Sequence, residues 1–291
     1  MIRLRRSVLY LPGSNARALE KARTLAADAL ILDLEDAVAP EAKEVARAQV
    51  AAAIAAGGYG RRELVVRVNA LDTPWGAADL AALGGPQPDA ILVPKIWRPD
   101  DIVTWARRLR EAGLSESVRL WAMMETPLAV LNAREIAATA ADPLARLDVL
   151  VMGTNDLAKE MRVRTVAGRG PMLPLLCLCV AAARAYGIDI LDGVYNDIAD
   201  VAGFARECEQ GRDLGFDGKT LIHPSQINAC NRAFTPQAGE VDQAAKVVAA
   251  FDLPENAAKG ALQIDGRMVE RLHAETARRV LALAAAAARK E

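Results

Sequence analysis

VRLWAMMETPLAVLNAREIAATAADPLARLDVLVMGTND, residues 118–156, carries the pattern that decides the fold. An apolar run over 118–125 stops at Glu125, and Pro127 then opens a helical pattern, LAVLNAREIAATA, in the first turn, where a missing N–H is harmless. A second apolar run, 147–153, ends in Gly153-Thr154-Asn155-Asp156. Neither run alternates strictly between apolar and polar residues. That is the pattern of strands buried on both faces in a parallel sheet wrapped by helices.

The alternation continues in both directions. Runs at 7–11, 29–34, 64–69 and 90–95 precede this unit, and runs at 188–193 and 216–222 follow it. Helical patterns fill the gaps: Ser14 can cap ARALEKARTLAA, Pro99 opens DDIVTWARRLREAG, and Gly113 can end it. Eight strands separated by helices predict an α/β fold, a closed (β/α)8 TIM barrel over residues 1–235. Residues 236–291 are expected to form a C-terminal helical extension of the same domain. It comprises a helix over 237–252, a break at LPENAAKG, and a long terminal helix running from DGRMVER to the end.

Composition limits the function classes. A formal net charge of −1 lacks the excess of Lys and Arg that a nucleic-acid-coating surface needs. No apolar stretch approaches the roughly 20 residues that span a bilayer, and the short apolar start ends at Pro12-Gly13, too early for a signal-peptide core. Cys177, Cys179, Cys208 and Cys230 lack metal-knuckle spacing and read as reduced packing thiols, which fits a cytoplasmic protein.

Barrel catalysis takes place at the carboxyl ends of the strands, and here those ends are polar. They deliver Pro12-Gly13-Ser14-Asn15, Asp33-Leu34-Glu35-Asp36, Arg67-Val68-Asn69, Lys95, Glu125 and Gly153-Thr154-Asn155-Asp156. Glu125 and Asp156 are candidate magnesium ligands, because Mg²⁺ takes a few carboxylate oxygens and completes its octahedron with water and substrate. Glu35 and Asp36 could hold its waters. Helix capping is the competing use for each of these acids. Arg67, in an apolar strand, needs an anionic partner: Glu35 or Glu125 as a structural pair, or a substrate oxygen that turns negative. Lys95 carries the same ambiguity. His223 reads either as an acid/base group or as a packing or capping residue. His273 receives no role.

Taken together and in order, RSVLYLPGSN (6–15), LDLEDAV (32–38), VRVNALDTPWG (66–76), VPK (93–95), METP (124–127), GTNDL (153–157), GFDGKTLIHPSQI (215–227) and DGRMVE (265–270) resemble the citrate lyase β-subunit-like family of the HpcH/HpaI aldolase/citrate lyase superfamily. That family includes malyl-CoA and citramalyl-CoA lyases. The resemblance implies a trimeric barrel, or a hexamer, whose terminal segment covers a neighbouring subunit's site. It implies Mg²⁺, with Mn²⁺ as a substitute, on Glu125 and Asp156, and Glu35 and Asp36 nearby through water. Arg67 corresponds to a substrate-contacting arginine, with Asp36 and Glu270 beside it as catalytic groups. Coenzyme A would lie along Pro12, Asn15, Lys21, Lys95 and His223, with the substrate acid at Gly153, Thr154 and Asn155.

Two departures stand out. Glu270 occupies a position where the acyl-CoA lyases usually carry an aspartate, with Asp265 as a substitute, and Asn155 replaces an acidic residue of the citrate lyase subunits. The expected activity is carbon–carbon cleavage or formation between an acyl-CoA and a 2-keto acid such as glyoxylate or pyruvate. A malyl-CoA thioesterase, a carrier-dependent citrate lyase subunit, or a metabolite-binding module remain alternatives.

Overall fold

The structure, a computed structural model, describes residues 2–289. It divides into two compact units, one of Arg5–Asn231 and one of the chain from Arg232 onward together with the residues that precede Arg5. In the first, β1 (Ser7–Pro12), β2 (Ala29–Asp33), β3 (Glu63–Arg67), β4 (Ala90–Val93), β5 (Arg119–Met124), β6 (Leu147–Met152), β7 (Asp189–Asp192) and β8 (Gly218–Leu221) form a closed barrel in sequence order. Every barrel pairing is parallel, and β8 returns to β1. All eight expected strands are present, and the fold is a (β/α)8 barrel. Among the described residues no helix is long and apolar enough to cross a membrane.

The interior is filled by Val8, Ile31, Val65, Leu92, Trp121, Val149, Val151 and Leu191, which pack as one buried cluster. Each aliphatic side chain there contributes roughly 1.5–3 kcal/mol relative to exposure. Arg5 seals the amino end beneath them. Its guanidinium donates to both Glu63 carboxylate oxygens at 2.8 and 2.9 Å, to Asp189 at 2.8 Å and to Asp148 at 2.5 Å, and it lies over the Trp121 ring. A buried cation is tolerable there only because nearly all its donors find carboxylates.

Two local expectations are corrected. The helix Ala16–Lys21 is capped by Asn15, whose Oδ1 accepts the Ala18 N–H at 3.0 Å, and not by Ser14. The Asn15 N–H donates to the Pro12 carbonyl, so Ser14 lies inside the tight turn that precedes the cap. The terminal helix is also shorter than its apolar pattern suggested. In the second unit the helix Ala238–Asp252 is followed by an antiparallel hairpin of β9 (Ala261–Ile264) and β10 (Arg267–Glu270), and the last helix spans Arg271–Ala288. Asp265 and Gly266 form the two-residue turn with φ of 48° and 76°, the left-handed pair that an Asp-Gly hairpin turn requires. Val269 packs with Val247, Phe251, Ala274 and Ala277, so the hairpin shares the core of this unit.

Replacing Arg5 with Ala removes the guanidinium that donates to both carboxylate oxygens of Glu63, which is 1 % exposed. Arg5→Ala should lower the unfolding free energy by about 3–5 kcal/mol, read as a lower denaturant midpoint; an unchanged midpoint would show that the seal is not stabilising.

Candidate active site

At the carboxyl end of the barrel, Asp33 and Arg67 stand opposite each other in the register of β2 and β3. The guanidinium grips Asp33 with two bonds, Nε to Oδ1 at 2.7 Å and Nη2 to Oδ2 at 2.6 Å. Asp33 also accepts the backbone N–H groups of Glu35 and Ala37, which fixes the turn after β2. Arg67 Nη1 faces Glu35 at 2.8 Å and Asp36 at 3.4 Å. The structural partner of Arg67 is thus chiefly Asp33, with Glu35 second, while Glu125 engages Lys95.

The same turn is held from behind. The Lys43 ammonium donates to the carbonyls of Leu34 and Glu35 at 2.7 Å each and to Asn69 Oδ1 at 2.8 Å. Asn69 in turn donates to the Leu34 carbonyl and to Asp79. A buried amide whose donors and acceptor are all engaged makes a rigid support.

Glu125, 1 % exposed, follows β5. Its Oε1 accepts the Lys95 N–H at 2.6 Å, and Lys95 adopts a φ of 52° at that point. A lysine in the left-handed region is unusual, and here the conformation accompanies the aiming of a backbone donor at a carboxylate. On the other side, a Cβ on Gly153 would fall 2.3 Å from Glu125 Cβ, so only glycine fits. Burial raises the Glu125 pKa and Asp156 adds to the rise, against the opposing Lys95 N–H and charge. Glu35 is pushed up to about 8, chiefly by burial and also by Asp36 and Glu125, against the pull of Arg67 and Lys95.

Glu125, Asp156, Asp36 and Arg67 border one cleft of about 300 Å³, together with Gly153, Thr154 and Asn155. Among the described residues no three His, Cys, Asp or Glu side chains are grouped to hold a metal unaided. A magnesium ion needs fewer, because water and substrate oxygens complete its shell. The donor set fits such an ion: hard carboxylates crowd together, two of them with raised proton affinity, and Glu35 Oε2 is a buried oxygen with no properly aligned donor.

Other expected residues fall elsewhere. Pro12, Asn15, Lys21, Lys95 and His223 do not line the cleft. Asn15 is a helix cap, Lys21 is exposed at the end of the first helix, and Lys95 Nζ reaches only to within 3.8 Å of Glu35. His223 caps the turn Pro224–Gln226, with Nδ1 2.7 Å from Ser225 Oγ and accepting the Ser225 N–H, which is the capping use of that residue. Glu270 lies in the second unit, where its N–H donates to His273 Nδ1 at 2.8 Å, so His273 helps to cap the last helix. Tyr10, Met123, Met152, Thr220 and Ile222 also face the cleft. The first four sit in barrel strands and Ile222 just after β8, where nothing in the local pattern marks them.

Behind the cleft wall, outside the barrel, Lys219 and Asp192 are both 0 % exposed and bonded at 3.1 Å. Arg169 donates to both Asp192 oxygens, and Glu207 accepts from Lys219 at 2.8 Å. Asp192 Oδ1 also accepts the Gly193 N–H, while Lys219 donates to the Gly193 carbonyl. Gly193 lies against Thr154, with no room for a Cβ between them. This network therefore backs the start of the helix Thr154–Met161, which carries Asp156.

The barrel, with its acidic mouth at the carboxyl ends of the strands, places the chain in the class of α/β-barrel proteins whose site can accept a divalent cation. The HpcH/HpaI aldolase/citrate lyase family model matches residues 6–224, and the chain belongs to that family. It is 50 % identical to a (3S)-malyl-CoA thioesterase of Cereibacter sphaeroides (strain KD131 / KCTC 12085) over 283 residues, 97 % of this chain and 95 % of that protein. It is 36 % identical to the citrate lyase subunit beta of Escherichia coli (strain K12) over 290 residues, 97 % of this chain and 94 % of that protein. The crystal structure of protein CitE from Mycobacterium tuberculosis in complex with magnesium, acetoacetate and coenzyme A superposes with a TM-score of 0.77 at 30 % identity. It covers 96 % of this chain and 97 % of that one.

Burial would raise the Asp192 pKa, but the Lys219 and Arg169 charges prevail and hold it below the usual carboxylate range. Its stabilisation is therefore present above the unfolded carboxylate pKa and lost as pH falls through the lower folded value. Asp192→Asn should destabilise the protein by about 3–5 kcal/mol near neutrality, with the gap to wild type narrowing in acid. A gap independent of pH in thermal melts would contradict this.

Proposed function

We propose that this protein acts on the CoA thioester of a short 3-hydroxy dicarboxylic acid, of the (3S)-malyl-CoA kind, with a divalent cation, and that hydrolysis to the free acid and CoA is its main outcome. The observation that carries the cation-dependent part is the convergence of Glu125 and Asp156 on one cleft beside a clamped Arg67. Support for hydrolysis comes from the 50 % identity to a (3S)-malyl-CoA thioesterase over nearly the full length of both chains.

Glu125 and Asp156 would hold Mg²⁺ or Mn²⁺, with Glu35 and Asp36 taking its waters. When bound, the cation supplies Lewis-acid polarisation of a substrate oxygen. Arg67, locked by Asp33, would offer its Nη1 edge, which faces Glu35 and Asp36 in the structure, to an oxygen that gains charge. The backbone N–H groups at the start of the helix Thr154–Met161 suit the substrate's free carboxylate. In hydrolysis, water loses a proton to a carboxylate and its oxygen bonds to the thioester carbon; the C–S bond then breaks, and the CoA thiolate takes a proton. Asp36, exposed at the cleft, serves as the proton carrier. Glu270, reaching in from a neighbouring subunit of a trimer or hexamer, is the second acid/base group. A cytoplasmic location completes this reading.

Carbon–carbon cleavage is the second reading, favoured by the 36 % identity to a citrate lyase β subunit and by the likeness to a CitE structure with magnesium, acetoacetate and coenzyme A. There the 3-hydroxyl loses its proton, the adjacent C–C bond breaks, and the electron pair becomes a thioester enolate stabilised by Arg67. Glyoxylate and, after protonation, acetyl-CoA are the products.

A panel of acyl-CoA esters assayed with and without Mg²⁺, with products identified by mass spectrometry, separates the readings. Malate and CoA are expected; glyoxylate and acetyl-CoA would replace hydrolysis with cleavage, and no turnover of any ester would remove both. Glu125→Gln should weaken Mg²⁺ binding by at least about tenfold, measured by calorimetry, with little change in melting temperature. Unchanged affinity would take Glu125 out of the metal site. Glu270→Ala should abolish most turnover, and full activity would show that it carries no proton.

A further inference from the structure

We propose that the Tyr10 hydroxyl is a catalytic hydrogen-bond donor, directed at the thioester oxygen that becomes negative during the reaction. This inference rests on the acyl-CoA reading above and holds for either outcome, because a tetrahedral oxyanion and an enolate place the charge on the same oxygen.

Tyr10 belongs to β1, packs against the barrel interior and borders the cleft. Its ring is held by the Arg67 guanidinium, whose carbon lies 4.9 Å from the ring centroid. Among the described residues its hydroxyl has one hydrogen-bond partner, Met123 Sδ at 3.6 Å. A thioether is a weak acceptor, whereas a partly buried phenol ordinarily finds a good one. Phenylalanine would fill the same space and stack on the same guanidinium without the desolvation penalty of an ill-bonded hydroxyl. The hydroxyl therefore has no adequate use inside the protein.

The rest of the wall narrows its use. Asp33, Asp36, Glu125 and Asp156 offer acceptors when ionised, so an oxygen gaining negative charge among them needs donors around it. Two side-chain donors on the wall are already committed, Asn155 to Asn196 and Thr220 to the Asp192 carbonyl. Thr154 stands at the helix start, where the substrate carboxylate is proposed to bind. Tyr10 is the donor placed against Arg67, so the two can address one oxygen from neighbouring directions. Burial raises the phenol's pKa further, keeping it protonated at working pH, which suits a donor and not a base.

Tyr10→Phe, in the full chain with Mg²⁺, tests the assignment. kcat should fall about 100-fold, the loss typical of one oxyanion donor, with KM, Mg²⁺ affinity and melting temperature nearly unchanged. A kcat within about threefold of wild type, or a raised KM at constant kcat, would overturn it. The second measurement is the infrared carbonyl stretch of bound succinyl-dethia-CoA, a ketone that can be neither hydrolysed nor cleaved. It should lie lower in wild type than in Tyr10→Phe, and equal frequencies would also overturn the proposal. Should wild type turn over no acyl-CoA ester yet bind the ketone with a Tyr10-dependent stretch, the functional reading would fall and the donor assignment would stand. Should wild type bind no ketone, both would fall.

Discussion

The doubly bonded pair between Asp33 and Arg67 is the constraint on which the rest of the site depends. Two charged groups at the ends of adjacent strands would each be untenable in a barrel interior, since burial of an unpaired ion is costly. Paired, they set the direction of the turn after β2 through the N–H groups of Glu35 and Ala37 and turn the other edge of the guanidinium to Glu35 and Asp36 at the cleft border. The fork geometry matters here, because a lysine could neutralise Asp33 but would not fix a second donor edge at a defined angle.

The two ends of the barrel use charge in opposite ways. At the amino end Arg5 is surrounded by Glu63, Asp148 and Asp189, so its donors are spent and the end is closed. At the carboxyl end the carboxylates outnumber the cations that reach them. Arg67 is committed mainly to Asp33, and Lys95 stays largely exposed. Burial chiefly raises the pKa values of Glu35 and Glu125, and the neighbouring carboxylates add to the rise. Such an arrangement is costly for stability alone, and a divalent cation is the simplest charge that would relieve it.

The fold was legible because buried parallel strands leave an apolar run with a polar end eight times over, and that signal survives uncertainty at any one strand. Arg67, Glu125 and Asp156 were legible for the same reason, as charges at the ends of such runs. Asp33 was not picked out as the partner of Arg67, because strand register is a tertiary property that no local pattern encodes. Lys43 and Asn69 carry no local signal of their role, because their value lies in bonds to the turn after β2. The hairpin at 261–270 was missed because the helical pattern around it outweighed an Asp-Gly turn, the strongest short-range hairpin signal. Tyr10 was hidden because an aromatic in a strand ordinarily signals packing.

Hydrolysis and carbon–carbon cleavage share most of this apparatus. Both need the thioester oxygen held by donors, an anchor for the substrate's carboxylate and a group that takes a proton; they differ in which proton is taken. Cleavage deprotonates the substrate's own hydroxyl, whereas hydrolysis deprotonates a water that must reach the thioester carbon. Under the proposed function, the deciding property would be water access and carboxylate placement around Asp36, because the proposed metal ligands and Arg67 would act alike in both. Asp36 is 60 % exposed while Glu35, one residue earlier, is buried, so the mouth offers one wet and one dry carboxylate side by side. That asymmetry allows a solvent molecule to meet a base without flooding the buried oxygens around Glu125.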